Sequence, residues 1–480
     1  MKTSMKLTAA GGALVLGATA AIPAWTSRQV DEQLHAWAQI PAHQSDAQLR
    51  NLQHHAGFLS SSGSAELVLR SRCSADAEEQ TGMVVQVNYQ VSHLPRLAGV
   101  NAFEWQVKPQ GEAAQAFKAL FGTENALTGQ GHVTWSRQVQ SNISLPAMSL
   151  AQGGGSIEAS PSRGALMVGD KRVAFSWQID DAQLRSSDVV AKLEGMNFSM
   201  DLDNWQRGTG DAAFKVRSIS TREATLEGLS IESRTQERDG RLDSVVRNHL
   251  DRLQAGKQEL KNLAFDVAMK GMHADSVEKL TKLFSQSCSV ERMTQAERQT
   301  MRDAVRTLLS QGMSLQIEKL KGESAQGSLE GDFTVSLKPS QQGGAIQMAE
   351  LLTSSGHVSL RGDLASPDLR QMATAMGWGQ VQQDSLASSF QYERGQLKVL
   401  DRVIDATAVQ KMLALADTVI LAVLEDRVPE VLAAQKDSAP QDEMEAEEAI
   451  STEPESEAPD EPTESEAAQD DANEAPDRSV

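Results

Sequence analysis

The sequence predicts an α+β fold: mainly antiparallel β-sheet with recurring strand–turn–helix units, an N-terminal membrane helix and a disordered acidic C-terminal tail. Three observations predict it. Apolar residues alternate with period two in the body, a strand–turn–helix pattern recurs five times, and both ends of the 480-residue chain differ in composition from the middle.

The alternation is clearest where Met83, Val85, Val87, Tyr89 and Val91 share one face, with Gln86, Asn88, Gln90 and Ser92 on the other. Val173, Phe175, Trp177 and Ile179 repeat the pattern. Period two means a strand with one buried face. One-faced strands belong to antiparallel sheets, because strands of parallel sheets are apolar on both faces. Weaker alternation marks residues 65–70, 132–139, 214–219 and 226–231, while residues 242–253 fit helical and strand spacing equally.

The recurring unit is an alternating strand, a short polar turn and an amphipathic helix. It begins with Phe103, Trp105 and Val107, turns at residues 109–111, and continues with Phe117, Leu120 and Phe121. Further copies start at Phe265, Phe333, Val358 and Leu397, with helices expected near residues 277–284, 346–352, 369–376 and 409–420. Their apolar residues follow the i, i+3, i+4 spacing that makes one stripe. Ser366 before Pro367, with Gly377 beyond, frames one helix. Thr294-Gln-Ala-Glu297 is a capping box opening another, and Asp405 is placed to cap the last. Spacing between copies is irregular, unlike the fixed period of a solenoid.

Lys2 and Lys6 precede an uncharged run of 21 residues, 7–27, and Asp31 and Glu32 follow it. Twenty apolar residues span a bilayer as a helix, and the flanking charges orient the chain with its N-terminus in the cytoplasm. Trp25 suits the membrane interface. Ala18-Thr19-Ala20 also fits a signal-peptidase site, so residues 1–27 read as a signal anchor or a signal peptide. The expected location is the bacterial inner membrane, periplasmic face, or the periplasm if the run is cleaved. A β-rich ectodomain follows at 28–435, with soft internal boundaries at 151–164, read as a flexible loop or subdomain joint around Gly153-Gly154-Gly155, and near 257.

The net charge of −20 is concentrated at the end: from Asp437 onward 17 acidic residues face one arginine, Arg478, which leaves −4 for everything before. Residues 436–480 lack the apolar residues needed to offset ordering entropy and read as a disordered tail. A nearly neutral body offers no basic footprint, so no nucleic acid partner is expected. The two cysteines, Cys73 and Cys288, can pair as a disulfide in an oxidising compartment, which would stabilise by roughly 4–5 kcal/mol; two buried free thiols is the other reading.

No motif in the sequence marks catalytic, metal or cofactor-binding residues. Gly57-Phe-Leu-Ser60-Ser-Ser-Gly63 has the wrong spacing for a nucleophile elbow. Ser276-Val-Glu-Lys279 stands without companion motifs and reads as a helix start capped by Asp275 or Ser276. His54-His55 lacks a third ligand. Asp201-Leu-Asp203-Asn204 lacks the glycine and distal glutamate of a calcium loop.

Several landmarks carry a resemblance: the apolar run ending at Trp25, Gly57-Phe58-Leu59-Ser60-Ser61, His93-Leu94-Pro95, Leu337-Lys338-Pro339, and residues 389–397 ending in Arg394-Gly395-Gln396-Leu397. In their order and spacing, residues 1–425 resemble the YdgA-like family of bacterial envelope proteins of unknown function. The resemblance implies an anchored envelope protein and supplies no catalytic residues; the acidic tail departs from it. The expected function is therefore non-catalytic: an envelope protein binding lipid or another apolar ligand in a β groove. The alternatives are an interaction or scaffolding module for another envelope protein and, more remotely, a hydrolase of unfamiliar type.

Overall fold

The computed structural model describes residues 27–425, except residues 29, 33, 37, 40–46, 70–82, 126, 153, 187–188, 288–289 and 341–347. The expectations for the membrane helix, Trp25, Cys73, Cys288 and the acidic tail fall outside the described residues.

The described residues between 27 and 38 are helical. Strands β1 (Ala47–His55), β2 (Ser60–Leu69), β3 (Met83–Ser92) and β4 (Asn101–Pro109) follow, then helix α1 (Glu112–Phe121). Next come β5 (Leu127–Val133), β6 (Val139–Leu145), β7 (Met148–Gln152), β8 (Gly155–Ala159) and β9 (Ser162–Val168). The long strands are β10 (Val173–Arg185), β11 (Val190–Asn204), β12 (Thr209–Thr221), β13 (Ala224–Arg238), β14 (Arg241–Ala255) and β15 (Gln258–His273). Helices α2 (Ala274–Ser287) and α3 (Gln295–Gln311) precede β16 (Met313–Ser324) and β17 (Gly327–Leu337). The end consists of α4 (Met348–Leu351), β18 (Leu352–Gly362), α5 (Pro367–Met376), β19 (Gln380–Gln382), β20 (Ser385–Glu393), β21 (Gln396–Val399), β22 (Arg402–Ile404) and α6 (Thr407–Leu424).

Among the described residues all 22 strands join one sheet, and each of their pairings is antiparallel. The ladder runs in chain order from β1 to β6, passes to β9, and continues from β10 through β18 to β20, β21 and β22. The β7–β8 hairpin extends it by pairing with the second half of β10. The strand prediction holds, and the helices are few.

Four of the five expected strand–turn–helix units are present, as β4–α1, β15–α2, β18–α5 and β21 leading to α6, the last with β22 inserted in its connection. The third is reduced: its described helix, α4, is one turn, and Leu352 already opens β18. Residues 132–139 are not a strand but the turn between β5 and β6, where Val133 pairs with Val139 and Arg137 takes a left-handed φ of 63°. Residues 151–164, expected as a loop, belong mostly to β7, β8 and β9, with the turn at Gly154. The position near 257 is the tight turn between β14 and β15. The ambiguous stretch 242–253 is strand β14, its alternate residues paired with β13 and β15 on either side.

Capping follows the sequence signals. Thr294 and Glu297 form the reciprocal box that starts α3. Thr294→Ala should therefore lower stability by about 1 kcal/mol, read from the urea unfolding midpoint. Ser366 caps α5, and left-handed Gly377 closes it. At α2 the cap is neither Asp275 nor Ser276: the His273 Nδ1 accepts the Ser276 N–H at 3.3 Å, and Asp275 instead pairs with Arg207. Asp405 accepts the Thr407 N–H at 2.9 Å, one residue before the position of a standard cap. Helix α6 is long and apolar enough to cross a membrane by length and composition. Its outer side carries exposed Met412, Leu415 and Val419, so it is less amphipathic than its sequence spacing suggested.

Candidate functional site

Because direct partners in a ladder share a face, the register assigns each side chain to one of two surfaces. One surface is apolar and aromatic along nearly the whole ladder. Tyr89 lies opposite Gly63 and Trp105, and Trp105 lies opposite Gly129. Ile143 faces Gly164, which faces Trp177, and Trp177, Phe198 and Phe214 stand side by side on β10, β11 and β12. The row continues through Ile231 and Asn248 to Phe265. Two residues along each strand a second row begins with Ser61, Val91, Phe103 and Gly131. It passes Leu166, Phe175 and Met200, then Val246, Val267 and Ile317, and reaches Phe333, Gly356 and Phe390.

Glycines make room for the rings. A Cβ at Gly129 would lie 2.3 Å from Trp105, one at Gly164 2.4 Å from Trp177, and one at Gly356 2.5 Å from Phe390. Each ring thus lies flat over the neighbouring strand. Phe175 and Phe198 meet at 5.8 Å between ring centres, and Phe333 and Phe390 at 5.5 Å, the spacing of favourable aromatic pairs. Further along, this face is open to solvent: Ile231 is 37% exposed, Phe265 43%, Met269 44% and Leu315 44%. Met269 and Leu315 are direct partners.

The opposite surface is polar, and the hollows of the sheet draw their lining from residues of both faces. One, of about 590 Å³, is lined from both rows of residues, by Leu166, Phe175 and Met200 as well as Ala165, Ser176 and Ser199, with Asp211 and Arg234 among its charged groups. A second is lined by amides and hydroxyls such as Asn88, Gln90, Gln106 and Gln130. Cross-strand ion pairs occupy the charged groups of the polar face: Arg234 with Asp211, Lys215 with Glu232, and Arg172 with Asp201. Asp201 is the carboxylate of the calcium-like segment; the Arg172 guanidinium holds its pKa below the usual range. Among the described residues no three His, Cys, Asp or Glu side chains converge on a point.

At the β1–β3 end, the apolar face terminates in polar side chains that sequence reasoning did not single out as a site. His54 and His55 point to opposite faces, as alternation requires, so the pair does not converge. His54 lies on the apolar face with its Nδ1 2.9 Å from the Tyr89 hydroxyl. Ser61 Oγ lies 2.5 Å from His93 Nε2. Ser61 is 1% exposed and His93 0%; the His54 side chain is 2% exposed. These residues belong to two landmark segments 32 positions apart, which strand pairing brings together. Among the described residues, His54 Nε2 and His93 Nδ1 have no hydrogen-bond partner. The Asp31 carboxylate, from the helical residues 27–38, stands 3.9 Å from His54 Nε2.

Burial lowers the pKa of His54, against the opposing pull of Asp31, and lowers that of His93, to which the His54 charge adds. Burial, aided by Asp31, pushes the Tyr89 hydroxyl up to about 12. Both histidines titrate near 6.5 when unfolded, so the fold favours their neutral forms. Their contribution is intact above about pH 6.5 and is lost as pH falls through that value towards the lowered pKa values. Tyr89 contributes below pH 10 and is lost as pH rises through about 12. The urea midpoint should therefore drop between pH 7.5 and 5.5, and a His54→Gln, His93→Gln double variant should flatten that drop.

A family model described as a bacterial protein of unknown function (DUF945) matches residues 1–404. The chain belongs to the DUF945 family. The resemblance to YdgA-like proteins is thereby met at the level of an uncharacterised bacterial family. No curated protein and no solved structure matches this DUF945 chain.

Proposed function

We propose that this DUF945 protein is a non-catalytic envelope protein, held at the bacterial inner membrane with its sheet on the periplasmic side, that binds the acyl chains of lipid along its apolar face. The observation that carries the binding reading is the open run of Ile231, Phe265, Met269 and Leu315. Contiguous exposed apolar surface on a soluble domain marks an interaction site, and flat rings over glycines offer a smooth track to an extended chain. The hollow competes poorly as a charged site, since its carboxylates Asp201, Asp211 and Glu232 are paired with Arg172, Arg234 and Lys215. Export and anchoring rest on the two lysines, the uncharged run and the acidic residues after it. A hydrolytic role gains little from Ser61 and His93, because no acid orients His93 through its second nitrogen.

The protein-interaction reading is favoured by one observation, the exposed stripe Met412, Leu415 and Val419 on α6. A photo-crosslinking residue placed in cells at Phe265 and, separately, at Asn197 on the polar face separates the readings. Lipid adducts at Phe265 alone support acyl binding. Protein adducts at Phe265 without lipid would replace it with the interaction module.

A further inference from the structure

The apolar face ends where an amphiphile would need polar groups. Its two rows run into His54 and Tyr89 on one side and Ser61 and His93 on the other. Three of these side chains are more than nine-tenths buried, and two of their ring nitrogens lack partners among the described residues. An orphaned buried polar atom carries a desolvation cost, and native structures seldom leave one without a reason. The atom nearest to satisfying His54 Nε2 is a carboxylate oxygen of Asp31, 3.9 Å away and beyond hydrogen-bond reach. Asp31 is half-exposed and sits on a short helical segment that follows residues 7–27 directly in sequence, the run read as membrane-embedded.

The geometry points to this cluster as a headgroup site for an anionic acyl amphiphile: its phosphate or carboxylate takes the place of Asp31 at His54 Nε2, and its chain runs over Tyr89 and Trp105 along the apolar rows. The inference rests on the acyl-binding reading above. It adds a polar end for a ligand seated at the β1–β5 end of the same face, twelve strand spacings (~58 Å) from Phe265, and Asp31 as the group that the head displaces. Tyr89 is the positioning residue: its hydroxyl bonds His54 Nδ1 and leaves the Nε2 side of the ring free.

The test uses the full chain in amphipol, titrated with decyl phosphate, decanol and inorganic phosphate, with tryptophan fluorescence as readout. Decyl phosphate should bind at least tenfold tighter than decanol. Asp31→Asn, at a half-exposed position, should tighten decyl phosphate several-fold and leave decanol unchanged. His54→Gln should abolish the preference without loss of decanol binding, which also certifies that the variant is folded. Equal binding of decyl phosphate and decanol by the wild type, or a preference untouched by both variants, overturns the headgroup site while leaving acyl binding in place. Inorganic phosphate binding as tightly as decyl phosphate overturns it as well, in favour of a simple anion site. If neither amphiphile binds, the acyl reading itself fails.

Discussion

Gly164→Ala is expected to destabilise the sheet by about 1–3 kcal/mol, the cost of overpacking a well-filled position. A Cβ at Gly164 would lie 2.4 Å from Trp177 Cε3 and 2.7 Å from the Ser176 carbonyl oxygen. The ring can tilt away, but the backbone oxygen belongs to the β9–β10 ladder and cannot move without loosening it. Gly169→Ala is the control: its nearest neighbour would be 3.4 Å away, on the flexible Gln138 side chain, and the change should be neutral within about 0.5 kcal/mol. Urea unfolding of both variants checks this, and an undisturbed midpoint for Gly164→Ala would remove the account of rings laid over glycines.

Phe265→Lys should leave the unfolding midpoint nearly unchanged and reduce co-purifying lipid at least tenfold. Phe265 is 43% exposed, so a lysine there can reach water in the free protein. Under a bound acyl chain the same ammonium would be desolvated without a partner, which costs several kcal/mol. Asn197→Lys, exposed on the opposite face, should have no effect on lipid. Equal lipid in all three proteins would place the ligand elsewhere.

The sheet was readable wherever a strand keeps one apolar face, as at Val173, Phe175, Trp177 and Ile179. It was unreadable at residues 132–139, because the alternation of Val133 and Val139 continues across a turn without glycine, proline or asparagine, closed by Arg137 in a left-handed conformation. The glycine run at 153–155 signalled a turn but not its brevity, so strands on both sides were taken for loop. The helix caps were local and legible at Thr294 and Ser366; the His273 cap was not, since a ring nitrogen is an uncommon acceptor there. The polar cluster lay beyond sequence reasoning for another reason. Ser61 and His93 meet only once β2 and β3 are in register, and register is a long-range property.

On the function proposed above, this DUF945 chain carries lipid on the apolar face of its sheet. The most direct measurement is native mass spectrometry of the full chain extracted from bacterial membranes, followed by organic extraction and identification of what is released. Stoichiometric acyl lipid, lost in Phe265→Lys and retained in Asn197→Lys, is the predicted result. A clean apo mass for the wild-type chain would contradict it.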